Sequence, residues 1–161
     1  METSTAPNHR DVGSIRIRQE IPIKGSREKV FKALTSDVSS WWGAPYLNGD
    51  AKKLIIEPRL GGLFFEDWGN CDGAVWGRVT QWKKNEIFEF TGPCGMGGAV
   101  HGVVCFTLEG DHQSTLLKLE HGAVGHVTEK TQQMYGEGWK DLLSNRLKSF
   151  VETGVKQGLD A

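Results

Sequence analysis

Between Lys53 and Gly122 the chain repeats one pattern six times: a short segment rich in β-branched and aromatic residues, then turn punctuation. The strand signals cover about 53–57, 62–68, 73–83, 86–91, 100–108 and 115–122. Asn85, Gly92-Pro93 and Gly110-Asp111 are among the breaks. Links this short leave no room for crossover helices, so the strands form an antiparallel meander. A seventh strand precedes them. In "SIRIRQEIPI", Ile15, Ile17 and Ile21 alternate with Arg16, Arg18 and Glu20, which predicts one wet face.

Two helices are expected between this first strand and the rest. Ser26 caps "REKVFKAL", with Val30, Phe31 and Leu34 as its apolar stripe and Glu28 in its first turn. Asp37 is expected to cap a shorter helix in "DVSSWW", stopped by Gly43 and Pro45. The last helix spans 128–153 and ends at Gly154. Tyr135, Trp139, Leu142, Leu143, Arg146, Leu147 and Phe150 recur along it at three- and four-residue steps. The predicted class is α+β: a curved antiparallel sheet of about seven strands wrapped around a long C-terminal helix, with two short helices between strands 1 and 2. The expected organisation is a flexible N-terminal tail (1–13), one domain (14–154) and a C-terminal tail (155–161).

Composition narrows the partners. The formal net charge is −1 and no block of like charge occurs, which favours neither nucleic acid nor an anionic membrane. No apolar run reaches the length of a membrane span, and the first residues lack the apolar core of a signal peptide. With three cysteines, an odd count, the expectation is a cytoplasmic protein with reduced thiols.

"GGLFFEDW" poses the question of chemistry. Alternate residues on a strand share a face, so Phe64, Glu66 and Trp68 form one set and Phe65 and Asp67 the other. Glu66 and Asp67 therefore point opposite ways and do not form a facing acid–base pair, unless a bulge intervenes. In "TLLKLEH", Leu117, Leu119 and His121 share a face, placing His121 inward near an entrance. It is either a ligand contact or base, or a satisfied core histidine. Cys94, His101, Cys105, His121 and His126 match no zinc spacing, so no metal and no cofactor is expected. No nucleophile-elbow motif occurs, and Cys94 and Cys105 read as small apolar fillers. The Gly-rich "CGMGGAVHG" reads as a loop between strands that lies beside a cavity entrance.

The segments "REKVFKALTS" with the following "WW", "PRLGGLFFE", "GRVTQW", "EIFEFT", "TLLKLEH" and "GWKDLLSNRLKSFVETG", in that order, resemble the START-like (SRPBCC) superfamily. Within it they are similar to the branch named for the activator of heat-shock-protein-90 ATPase. The resemblance implies the helix-grip fold, with a cavity between sheet and last helix and the Gly62 and Phe64 set facing it. It implies no single function. The superfamily includes hydrophobic-ligand carriers, cyclase-like enzymes, toxin-sequestering proteins and a co-chaperone domain.

Six tryptophans are many for filling alone, because each buried indole N–H needs a partner. Aromatic walls with few polar groups are the usual small-molecule site. The expected function is binding of a small apolar or aromatic molecule. Its expected walls are Trp41, Trp42, Phe64, Trp68, Trp76, Phe88, Phe90, Val104, Phe106, Tyr135 and Trp139. Glu66, His121 and Tyr135 are expected to orient the guest. Gly136 and Gly138, unfavourable inside a helix, leave room for close packing or a guest. Two alternatives stand beside this: a cyclase- or hydrolase-type enzyme using Glu66 or His121 as acid/base, and a chaperone-ATPase-activator-like interaction module. A homodimer through an uncovered sheet edge is also compatible with the pattern.

Overall fold

The alternating isoleucines build an edge strand, β1 (Gly13–Ile23), with Ile15, Ile17, Ile21 and Ile23 buried and Arg16, Arg18 and Glu20 outside. The protein was characterised as a computed structural model that describes residues 11–159. Most of the expected N-terminal tail lies outside the described residues, as do the last two residues. After β1 come α1 (Arg27–Leu34), α2 (Val38–Trp41), β2 (Lys53–Ile56), β3 (Leu63–Gly69), β4 (Asp72–Lys83), β5 (Ile87–Thr91), β6 (Val100–Gly110) and β7 (Thr115–Gly125). The sheet order is β1-β7-β6-β5-β4-β3-β2, and every neighbouring pair is antiparallel. The long C-terminal helix packs on the concave face. It runs as α3 (Glu129–Lys140), then a π-helical stretch (Asp141–Leu147), then α4 (Lys148–Thr153).

Local chemistry sets the ends. Ser26 accepts from the Lys29 N–H at the start of α1, as its sequence position predicts. Thr128 caps α3 in a capping box with Thr131. Asp37 departs from expectation. Its side chain makes no capping bond, and it pairs instead with Lys32 at 3.6 Å. The π-helical stretch was not visible in the periodicity. Trp139, Leu143, Leu147 and Val151 are all buried at steps of four. Such steps drift around a 3.6-residue helix, and wider π turns offset that drift.

A bulge aims one critical side chain. Phe64 pairs with Gly77 and Phe65 with Val75, so Trp76 is the extra residue on β4. It turns inward beside Val79 and lies against the rings of Trp42 and Phe64.

Both sheet edges have backbone groups already engaged. On β1, the Arg16 N–H donates to Gln132 of α3, and the Pro22 carbonyl accepts from Lys148 of α4. On β2, the Leu54 N–H donates to the Ser39 hydroxyl at 2.9 Å. A dimer made by extending the sheet would have to displace these contacts. The segment after α4 is docked too, since the Gln157 and Gly158 N–H groups both donate to the Ser40 carbonyl.

Candidate ligand-binding cleft

The concave face is an aromatic cluster. Trp42 lies at its centre, with ring centroids 5.6–5.8 Å from Trp41, Phe64, Trp76 and Trp139. Phe88, Phe90 and Phe106 continue it, and Val104 is buried beside them. These rings pack against one another between sheet and helix. Beside them lies a cleft of about 250 Å³. Its floor is Trp42, Trp76, Cys94 and Trp139. One rim is α3 and the π-helical stretch, with Met134, Tyr135, Gly138, Asp141, Leu142 and Arg146. The other rim is Ala44 and Pro45.

The expected site residues therefore separate. Trp42, Trp76, Tyr135 and Trp139 line the cleft. Phe64, Phe88, Phe90, Val104 and Phe106 belong to the packed interior below it. Trp41 is buried with its indole N–H on the Ala33 carbonyl, and Trp68 sits partly exposed on β3. Ala44, Pro45, Met134, Asp141, Leu142 and Arg146 were not anticipated. One signal for Arg146 existed, a lone cation within an apolar stripe. Its guanidinium donates to the Trp42 and Ala44 carbonyls at 2.6 and 2.7 Å and pairs with Asp141 at 2.8 Å. It thus ties the 42–45 rim to the helix.

Glu66 points inward and Asp67 outward, as strand parity requires. Glu66 is fully buried, and among the described residues its hydrogen-bond partners are all neutral N–H groups. Its oxygens accept from the Leu47 N–H (2.7 Å), the Asn48 N–H (3.4 Å), the Trp68 indole (3.1 Å) and the Trp76 indole (2.9 Å). The carboxylate holds the α2–β2 loop and two tryptophans in place.

His121 is also fully buried, one layer behind the cleft rather than at an entrance. The physical reason is that β7 runs on to Gly125, which puts His121 well inside the strand. Its Nδ1 accepts from the Trp139 indole at 2.9 Å, so the ring's proton sits on Nε2. Burial pushes its pKa down to about 4. An unfolded histidine titrates near 6.5, so on acidification the unfolded chain takes up this proton first. Stability is complete above pH 6.5 and falls as pH drops toward 4, by on the order of 3 kcal/mol. His121→Asn keeps an acceptor for Trp139 and removes the titration. In urea unfolding at pH 7 and pH 4.5, the variant is expected to lose about 2 kcal/mol less than the parent on acidification. Equal losses would contradict this reading.

The Gly-rich loop borders the cleft through Cys94. Gly95 rests flat on Trp76, where an added Cβ would come within 2.9 Å of the ring, and its φ of +79° suits glycine. The Tyr135 hydroxyl donates to the Cys94 carbonyl at 3.0 Å, latching the loop to α3. Among the described residues no three His, Cys, Asp or Glu side chains converge as metal ligands, and no helix is long and apolar enough to cross a membrane.

A seven-stranded antiparallel sheet gripping a long C-terminal helix, with an apolar cleft at one end, defines the helix-grip class. The chain belongs to the family described as activator of Hsp90 ATPase homolog 1-like protein, whose sequence model matches residues 24–152. Solved structures agree on the fold. The Enterococcus faecalis protein EF2215 superposes with a TM-score of 0.65 at 21% identity, over 88% of this chain and 73% of that one. The Aha1 dimer from Colwellia psychrerythraea gives 0.58 at 22% identity, over 87% and 98%. CalU16 from Micromonospora echinospora gives 0.59 at 20% identity, over 89% and 85%. No curated relative matches the chain.

Proposed function

We propose that this protein binds a small apolar or aromatic molecule in the cleft between the Gly-rich loop, the 42–45 rim and α3. The observation that supports it is the cleft itself: about 250 Å³ floored by three tryptophan rings. Apolar concavities with a few fixed polar groups are the usual small-molecule sites. Acid–base catalysis is less well supported. Both Glu66 oxygens already accept from the protein's own N–H groups, and His121 is closed off behind Trp139. The reading includes a cytoplasmic setting, which three free thiols suit.

Titration with toluene, indane and camphor tests the proposal through tryptophan fluorescence, because the floor is made of indoles. Saturable responses with dissociation constants on the order of 0.1 mM are expected for ligands of this size. Linear, unsaturable responses from every compound would contradict it.

A second reading draws on the family name and on the exposed rim of Ala44, Pro45 and Met134, which could receive an apolar side chain of a chaperone. It requires a stable complex with an Hsp90-type chaperone and faster ATP hydrolysis. Absence of both would remove it.

A further inference from the structure

Among the described residues, three buried side-chain polar atoms have no hydrogen-bond partner: Gln19 Oε1, Trp42 Nε1 and His121 Nε2. Such atoms are rare in folded proteins, since each forfeits its hydration for nothing. Gln19 does not line the cleft; its amide donates to the Gly136 carbonyl of α3. The other two belong to the cleft end. Trp42 forms part of the floor and is only 5% exposed. His121 lies directly behind, its ring centroid 5.7 Å from that of Tyr135 and 6.0 Å from that of Trp139. Because His121 Nδ1 is already an acceptor, its unpartnered Nε2 is an N–H. Both orphan groups are therefore donors.

The other side-chain donors of the cleft's aromatic residues are committed elsewhere. The Trp76 N–H goes to Glu66, the Trp139 N–H to His121, and the Tyr135 O–H to the Cys94 carbonyl. Asp141 and Arg146 neutralise each other. A charged guest would find the Asp141 and Arg146 charges already paired with each other, and the side-chain N–H left without a partner on the floor itself is that of Trp42.

We infer that the ligand of this cleft is an uncharged, compact ring molecule whose buried end carries a carbonyl-type acceptor, and that the Trp42 indole N–H receives it. This rests on the cleft being the binding site and specifies its guest. The arrangement reads an acceptor by leaving a donor unpaired until the guest arrives, which is how buried polar groups discriminate between near-isosteres.

1-Tetralone and tetralin test it, because they share one bicyclic frame and differ by a single carbonyl. Affinities come from calorimetry. Contacts come from the indole N–H resonances of the ¹⁵N-labelled protein. The ketone is expected to bind about tenfold more tightly and to move the Trp42 N–H resonance downfield, with no such movement from the hydrocarbon. Trp42→Phe keeps a ring in place and removes the N–H, so the ratio of ketone to hydrocarbon affinity should fall to about one. The resonance shift in the parent protein stands whether or not this variant folds. Equal affinities, or bound ketone with the Trp42 resonance unmoved, would overturn the acceptor and leave the cleft intact. Saturable binding by neither compound would overturn the cleft reading and this inference with it.

Discussion

Glu66→Ala is expected to lower the unfolding free energy by about 3–5 kcal/mol. The carboxylate is 0% exposed and receives four N–H donors. Hydrogen bonds to a charged group contribute more than neutral ones, and a donor left buried loses its hydration as well. The donors differ in what they can recover. Trp68 and the Leu47–Asn48 backbone lie near the surface and can find water again, whereas the Trp76 N–H meets Glu66 in the buried interior. Glu66→Gln separates charge from shape. Its amide offers one oxygen where two are used, and its NH2 opposes an N–H, so a loss of about 1.5–3 kcal/mol is expected. Urea midpoints at pH 7 with unchanged m-values check both. A loss under about 1 kcal/mol for the alanine variant would show that the carboxylate does not hold this end of the sheet together.

Gly138→Leu should abolish ligand binding without cost to the fold. A Cβ at Gly138 meets nothing within 4 Å, and the residue lines the cleft. Leucine there occupies the space a guest needs, so affinity should fall at least about a hundredfold. Meanwhile replacing a helical glycine contributes about 0.5–1 kcal/mol of stability. Gly136 supplies the control. Its Cβ direction is also open, but it sits on the β1 side of α3 and does not line the cleft. Gly136→Ala should give a similar gain in stability and leave affinity unchanged. Binding that survives Gly138→Leu would place the guest elsewhere.

These glycines also show what the sequence could convey. Their cost inside a helix was legible as a sign of free space, although whether packing or a guest used that space was not. Strand parity was legible because a two-residue period is local, so Phe64 and Glu66 fall inside and Asp67 outside. The long helix was legible from its stripe. Trp76 faces inward through a bulge, which depends on the register with β3 and leaves no local mark. Pro45 read only as a helix stop, together with Gly43, and Ala44 carried no signal, because their role as a rim depends on Arg146 reaching across from the last helix. Most expected wall residues are inward-facing as read. Parity does not reveal which inward side chains pack against each other and which border open space.

The most direct test of the central claim is the methyl signal of Met134 in protein carrying ¹³C-methyl methionine, followed while an aromatic ligand such as toluene is added. Met134 sits on the cleft rim and is 59% exposed, so nothing but a guest in the cleft should place a ring beside it. Binding in the cleft predicts a saturable ring-current shift of this methyl with the same midpoint as the tryptophan fluorescence change. Saturable fluorescence quenching with the Met134 methyl unmoved would contradict it.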